Sequence, residues 1–312
     1  MAAKDTHLTN FDALRQGRAP AAKGVGRTAG AVVLFHPDLN TLGSVVGSVA
    51  AQVSDLILIA NDGAPWSCSL PKNAVLARQE RNLGLGAAYN LAARWASERG
   101  ATHLLLLDQD SVAAPGMVAA LLEAFKQPGP VAASGPLWRD SRTGDDGFFV
   151  LAESRWGMRR STPRAGEIVA VDFLISSGSL ISLGAFADVG PFDEMLFIEH
   201  VDADWALRAL AKGYRLYGVA DARLNHAFGE AALSLSSLGL RRRLFLYPPE
   251  RNYYLLRNSL VLWRRRYVPW WWCFRDARRT LALMVSYSVC VPPRLERLRA
   301  MLRALRDSID MK

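Results

Sequence analysis

The feature that most constrains this chain is a run of four leucines, Leu104 to Leu107, leading straight into Asp108-Gln109-Asp110-Ser111. A run of that kind offers solvent no polar face, so it reads as a strand covered on both sides, as at the centre of a parallel sheet. Open α/β sheets bind ligands beyond the carboxyl ends of their strands, and this end carries two carboxylates one residue apart. Two such groups are costly to hold together unless a cation or hydrogen bonds neutralise them. Hard oxygen donors suit Mg²⁺ or Mn²⁺, metals that commonly sit between carboxylates and a substrate diphosphate. On these residues alone two other readings stay open. Asp110 or Ser111 could cap the helix that Pro115-Gly116 opens, or Asp108-x-Asp110-x-Val112 could hold a phosphatase's aspartyl nucleophile.

The rest of the chain supplies the sheet that such a strand needs. Ala31–Phe35, Leu56–Ala60 and Ala74–Gln79 read as strands, with helices expected over Leu42–Gln52 and, after the Gly-rich turn Asn82–Gly86, over Ala87–Arg99. A helix over Met117–Lys126 and a strand over Val131–Ser134 follow. Strands alternating with helices of about ten residues indicate βαβ units and a parallel sheet. After Pro136 the pattern breaks into a polar, Gly-rich stretch, 139–166, with Asp145-Asp146 in a hairpin or loop. Val169–Ile175 alternates as a strand, Ser176–Ser179 interrupts it, and the acidic stretch Glu199–Trp205 opens a helix to about Lys212. Tyr214–Val219 is a further strand, with Asn225-His226 expected in the loop behind it.

Several of these residues could carry chemistry. Asp62 ends the second strand, Asp202 and Asp204 begin a helix, and His226 follows a strand. Residues two apart on a helix point about 200° away from each other, so Asp202 and Asp204 should play different roles. Taken singly, both could be acidic residues favoured by the helix dipole, and His226 a satisfied histidine.

In order along the chain, Asp62, Asn82-x-Gly84-x-Gly86, Asp108-x-Asp110, Ser177-Gly178, Glu199-His200-Val201-Asp202-x-Asp204 and His226 resemble the inverting glycosyltransferases of family two. The segments Leu107–Ser111, Phe173–Gly178, Leu196–Asp202 and Arg251–Asn258 look like the bacterial rhamnosyltransferase branch, which acts on polysaccharides and rhamnolipids. The resemblance covers roughly residues 30–265. It implies a GT-A fold, α/β and Rossmann-like, and an enzyme rather than a phosphatase, whose further motifs are missing from the positions where they are expected. The donor it implies is dTDP-L-rhamnose and the acceptor a lipid-linked or glycolipid saccharide. It assigns Asp202 as general base. Asp62, Asn82, Gly84, Asp108, Asp110 and Gly178 would bind nucleotide sugar. Asp108, Asp110 and His226 would hold Mg²⁺ or Mn²⁺, and Glu199, His200, Asp204 and Trp205 would shape the acceptor side. Many relatives have Asp where this chain has Glu199. The alternatives are another nucleotide sugar or a non-catalytic sugar-nucleotide-binding scaffold.

Charge divides the chain unevenly. Of 38 basic and 29 acidic residues, 17 basic and only 5 acidic lie beyond Leu240, so the excess of +9 belongs to the C-terminal part. We therefore expect a lead-in over 1–29, a catalytic domain over 30–240 and a basic, Trp-rich helical extension over 241–312. Arg264–Arg266, Trp270–Trp272 and Arg275–Arg279, followed by an apolar run, suit an anionic membrane surface, with indoles at headgroup level. No nucleic-acid-binding motif accompanies the charge. The run from Thr280 to Pro292 is shorter than the roughly 20 residues that span a bilayer. Cys68, Cys273 and Cys290 lack metal-ligand spacing and fit a reducing compartment. No apolar leader stands in the first 30 residues, so the expected location is cytoplasmic, peripheral on the inner membrane.

Overall fold

The structure, a computed structural model, describes residues 26–64, 69–140, 144–151, 159–226, 231–234 and 243–311. Most of the expected lead-in and Cys68 lie outside these, and Thr28 and Ala29 already belong to the first strand. Strands β1 (Thr28–Leu34), β2 (Asp55–Ala60), β3 (Ala74–Arg78) and β4 (His103–Asp108) run parallel in the order β3-β2-β1-β4. Helix α1 (Leu39–Ala50) joins β1 to β2, and α2 (Leu85–Glu98) joins β3 to β4.

The leucine run explains why two layers of helix are needed. Successive side chains of a strand point to opposite faces. Leu104 and Leu106 accordingly enter one core with Tyr89, Ala92 and Trp95 of α2, while Leu105 and Leu107 enter a second core with Leu42, Val45 and Val49 of α1. All four leucines are buried. The hydrophobic sandwich fixes β4 at the centre and delivers Asp108 to its carboxyl edge.

Beyond β4 the sheet is mixed. Strands β5 (Ser111–Ala113), β6 (Val131–Asp140), β9 (Ile168–Val171), β10 (Leu180–Ser182) and β11 (Arg215–His226) extend it as β4-β10-β6-β11-β5, with β9 beside β11. Strand β10 is antiparallel to both neighbours. Gly178, in the turn that feeds β10, has φ +85°, and a Cβ there would lie 2.5 Å from Pro136 Cγ. A short hairpin, β7 (Phe149–Leu151) with β8 (Arg159–Ser161), fills part of the polar stretch, and Asp146 bridges to Arg139. Helices α3 (Met117–Glu123), α4 (Leu183–Val189) and α5 (Val201–Ala211) complete this part.

Two local expectations change. Ser111 is not a helix cap: residues 111–113 pair with 224–226, and Gly116 precedes α3 instead. Asn225 and His226 are not in a loop but at the end of β11. The register of β11 against β6 slips between Val219 and Arg223, and this irregularity carries the strand on to a partnership with β5.

A β12–β13 hairpin (Ala231–Ser234, Arg243–Leu246) precedes three helices, α6 (Pro249–Leu262), α7 (Trp270–Cys290) and α8 (Arg294–Asp310). Val261, Leu262, Val268 and Trp272 belong to the same core as α2, so the core does not end near residue 240. Three consecutive tryptophans cannot share one helix face, since each residue turns the helix by about 100°. Trp270 is exposed, Trp271 lies under Arg275, and Trp272 is buried at 6 %. That spread replaces the expectation of a single tryptophan cluster at a surface.

Candidate active site

The sheet edge gathers the strand-end acids with a histidine from a distant part of the chain. Pairing of His226 with Ser111 across β11 and β5 sets the imidazole one residue from Asp110. Ligand atoms of Asp108, Asp110 and His226 all lie within 4.8 Å of one another. Two carboxylates and an imidazole make a donor set suited to a divalent cation such as Mn²⁺ or Mg²⁺. His226 Nδ1 is 3.3 Å from Asp110 Oδ1 and 2.7 Å from Ser111 Oγ. Ser111 Oγ lies 2.6 Å from Ser177 Oγ, which accepts the backbone N–H of Asp108 at 3.1 Å. Ser111 and Ser177 thus lock acid and imidazole to the same edge.

Electrostatics follow from this crowding. Burial raises the pKa of Asp108, and the Asp110 charge adds to it against the opposing pull of His226. Burial works against a charged His226, but the bond and charge of Asp110, with Asp108 and Asp140 behind, outweigh it and raise its pKa. A site with surplus negative charge of this kind gains from a cation.

Asp202 approaches from the other side. It stands in the first turn of α5, accepting Ser176 N–H at 3.2 Å and Ala203 N–H at 2.8 Å. Burial pushes its pKa up to about 6, against these bonds and the nearby His200. Between Asp202 and the strand-end pair stands Tyr89. Its hydroxyl donates to Asp108 at 3.3 Å, bonds the Ser176 side chain, and feels the Asp202 charge. Tyr89 gave no signal in the sequence, because it sits on an alanine-rich helix where an aromatic reads as core.

The backbone leading into α5 is strained. Phe197, Glu199 and His200 all have positive φ, between 60° and 64°. No glycine absorbs this, so other groups must hold it. Asn258 donates its amide to the carbonyls of Leu196, Ile198 and Glu199 at 2.6–2.9 Å, and Arg257 donates to those of Met195 and Leu196. Gly84 closes the opposite side: Leu85 N–H donates to Phe197 O at 2.5 Å, and a Cβ on Gly84 would lie 2.6 Å from the Phe197 ring. Gly84 therefore serves a close approach of two loops. Glu199 pairs with Arg251 at 2.5 Å, and that guanidinium lies 4.0 Å over Tyr247 and feels Asp108. Arg251, a residue whose role composition did not reveal, faces the acid cluster from α6.

Other candidate residues lie elsewhere. Asp62 accepts the backbone N–H groups of His36 and Ala64 at 3.0 Å, at the end of β2. Asn82 accepts from Asn61 and from Gly84 N–H, shaping the adjoining turn, while Gln109 clamps Phe35 through both its amide atoms. Asp204 is fully buried and turned the other way, held by Arg208 at 3.0 Å and by Arg265 and Tyr267. Trp205 is buried, donating to Gly190 O at 3.0 Å. His200 is buried against Asp276 and Ser259, each at 3.3 Å. The structure thus brings Asp108, Asp110, His226 and Asp202 around Tyr89 and the serine turn, and sets Asp204, Trp205 and His200 into the packing of α5.

Comparison with known proteins bears on the whole. Residues 40–189 match the family described as Glycosyl transferase family 2. The dTDP-rhamnosyl transferase RfbF of Shigella flexneri is 26 % identical over 253 residues, which cover 76 % of this chain and 80 % of that protein. Among solved structures, GalNAc-T7 with UDP, GalNAc and Mn²⁺ superposes with a TM-score of 0.56 at 16 % identity, over 92 % of this chain and 57 % of that one. S. aureus TarS gives 0.55 at 13 %, over 91 % and 49 %. The chain spans about half the length of these two solved proteins, and at such identities they show the fold alone.

Proposed function

We propose that this glycosyltransferase, which carries a family 2 domain on a GT-A fold with C-terminal helices, moves L-rhamnose from dTDP-L-rhamnose to a saccharide acceptor with inversion. The observation that carries the chemistry is the pair of acid sites on either side of Tyr89, one a metal-type cluster and one a lone carboxylate with a pKa of about 6. The choice of sugar rests on the likeness to a dTDP-rhamnosyl transferase.

Asp108, Asp110 and His226 would hold Mg²⁺ or Mn²⁺, since two carboxylates and an imidazole within 4.8 Å of one another fit a divalent ion. Such an ion, when bound, offsets the negative charge that gathers on a departing nucleoside diphosphate. Arg251, facing Asp108, adds a positive charge from the protein itself. In the displacement the acceptor oxygen bonds to C1 of the sugar as the C1–phosphate oxygen bond breaks. Its electron pair leaves on the diphosphate, and the acceptor proton passes to Asp202. A carboxylate with a pKa of about 6 is ionised at neutral pH yet basic enough to take that proton. Asp62, at the end of β2, would accept the N3 hydrogen of the thymine, with Asn82 and Gly84 in the turn beside it. Gly178 supports the donor side through the turn before β10. Glu199, paired to Arg251, borders the acceptor side. The acceptor is a lipid-linked or glycolipid saccharide, met at the cytoplasmic face of the inner membrane.

The test is turnover of dTDP-L-rhamnose against UDP-glucose, UDP-galactose and GDP-mannose, with and without EDTA. We expect selective use of the rhamnose donor, loss of transfer in chelator and recovery with Mg²⁺ or Mn²⁺. Preference for GDP-mannose would contradict the thymine contact at Asp62. Full activity in excess chelator would contradict the metal.

A further inference from the structure

The largest apolar surface left uncovered is on the last two helices. Leu295, Leu298, Leu302, Leu305 and Ile309 of α8 recur at alternating spacings of three and four, so they form one stripe along the helix. All five are 43–72 % exposed, whereas Arg297, Ala300, Met301, Ala304 and Ser308 are buried on the inward side. Helix α7 repeats the arrangement: Trp270, Phe274, Leu281 and Val285 are exposed, opposite buried Trp272, Thr280 and Met284. Contiguous apolar exposure on this scale marks an interaction site.

Charge identifies the occupant. Arg299 follows Leu295 by four residues and so borders the stripe on one side, with Arg306, paired to Asp307, about two turns further on, while Arg294 precedes Leu298 by four and borders the other. Exposed Arg278 borders the apolar residues of α7. A second copy docked stripe to stripe would bring these arginines against their own counterparts, a like-charge arrangement. Anionic headgroups would complement them. No helix among the described residues is long and apolar enough to cross a membrane, so the fitting geometry is a helix lying in the interface, leucines down and arginines at the phosphates.

We propose that α8, with the outer face of α7, is an in-plane docking surface for an anionic lipid bilayer. The buried Trp272 takes no part; the leucine stripe does the inserting. The purpose of this surface rests on the reading that the acceptor is lipid-borne, but vesicle binding needs neither donor nor acceptor, so the two can fail separately.

The experiment floats the full chain with vesicles of phosphatidylcholine alone or mixed with phosphatidylglycerol, without substrates. We expect capture only by the mixed vesicles, weakening as salt shortens screening from about 30 Å at 0.01 M to about 8 Å at physiological strength. The double variant Leu302→Asn/Leu305→Asn, altered at exposed positions, should bind roughly 100-fold more weakly, since each leucine loses the transfer of a whole side chain. Its turnover of a soluble acceptor analogue should match the parent. Equal capture by neutral vesicles, or full capture of the double variant, would overturn the proposal. A parent dimer that ignores vesicles and that the double variant splits would assign the stripe to a second copy instead.

Discussion

Asp202 and Asp204 stand two residues apart in the first turn of α5, and their surroundings differ in kind. Asp204 is fully buried and met by Arg208, Arg265 and Tyr267, with Arg265 also reaching Asp193. Both of its oxygens are taken, Oδ2 by Arg208 and Oδ1 by Arg265 and Tyr267. Asp202 has two backbone N–H bonds and no cationic partner bonded to it, and burial leaves its pKa at about 6. A carboxylate with all its needs met is structural. One half-buried with no cation bonded to it holds its proton closer to neutrality, the condition a general base requires.

The largest change is expected at Asp204. Asp204→Asn takes the buried carboxylate from Arg208, Arg265 and Tyr267, leaving the half-buried Arg265 with Asp193, and should cost about 3 kcal/mol, the low end for a broken buried pair. Urea unfolding should show that loss, while transfer per folded molecule stays within a few-fold of the parent. Unchanged stability with lost transfer would move Asp204 into the active site.

Asp202→Asn should change stability in the opposite direction. Because its native pKa lies above the ordinary 3.8, the folded protein binds this proton more tightly than the unfolded chain does. The penalty for ionising it is therefore absent below pH 3.8, grows as pH rises through about 6, and is complete above that. The full difference is worth about 3 kcal/mol, of which losing one backbone bond takes back about 1. The variant should be more stable than the parent at pH 7 and nearly equal to it at pH 4. A variant less stable at both values would show that Asp202 is as well partnered as Asp204.

The same carboxylate sets a smaller effect on rate. Transfer should be flat above pH 6 and fall about tenfold per unit below it, as the base becomes protonated. Asp204→Asn should retain that limb. A limb that stays flat to pH 5 would remove Asp202 from the proton transfer.

Much of this was legible in the sequence. Leu104–Leu107 announced the central strand because a four-residue apolar run leaves no face for water, and the acids that follow had nowhere to lie but at its carboxyl edge. The likeness to family two brought in His226 and Asp202, which no local pattern distinguishes. What stayed hidden depends on partners distant in the chain. Helical spacing says that Asp202 and Asp204 diverge, but which of them meets Arg265 is decided by how α6 and α7 fold back. His226 reads as loop because the expected strand stops at Val219, although Ala220 to Asn225 goes on alternating apolar and polar residues, a signal that could have extended it. Arg257 and Asn258 look like ordinary polar helix residues until the strained carbonyls of 196–199 are seen to need them.

The most direct test of the account is transfer by Asp202→Asn, with donor affinity measured on the same preparation. We expect an unchanged donor Kd, because a base that takes the acceptor's proton need not touch the donor, and a kcat lower by roughly 10²–10⁴, the usual contribution of a general base. Turnover within a few-fold of the parent, in a variant that binds donor normally, would contradict it.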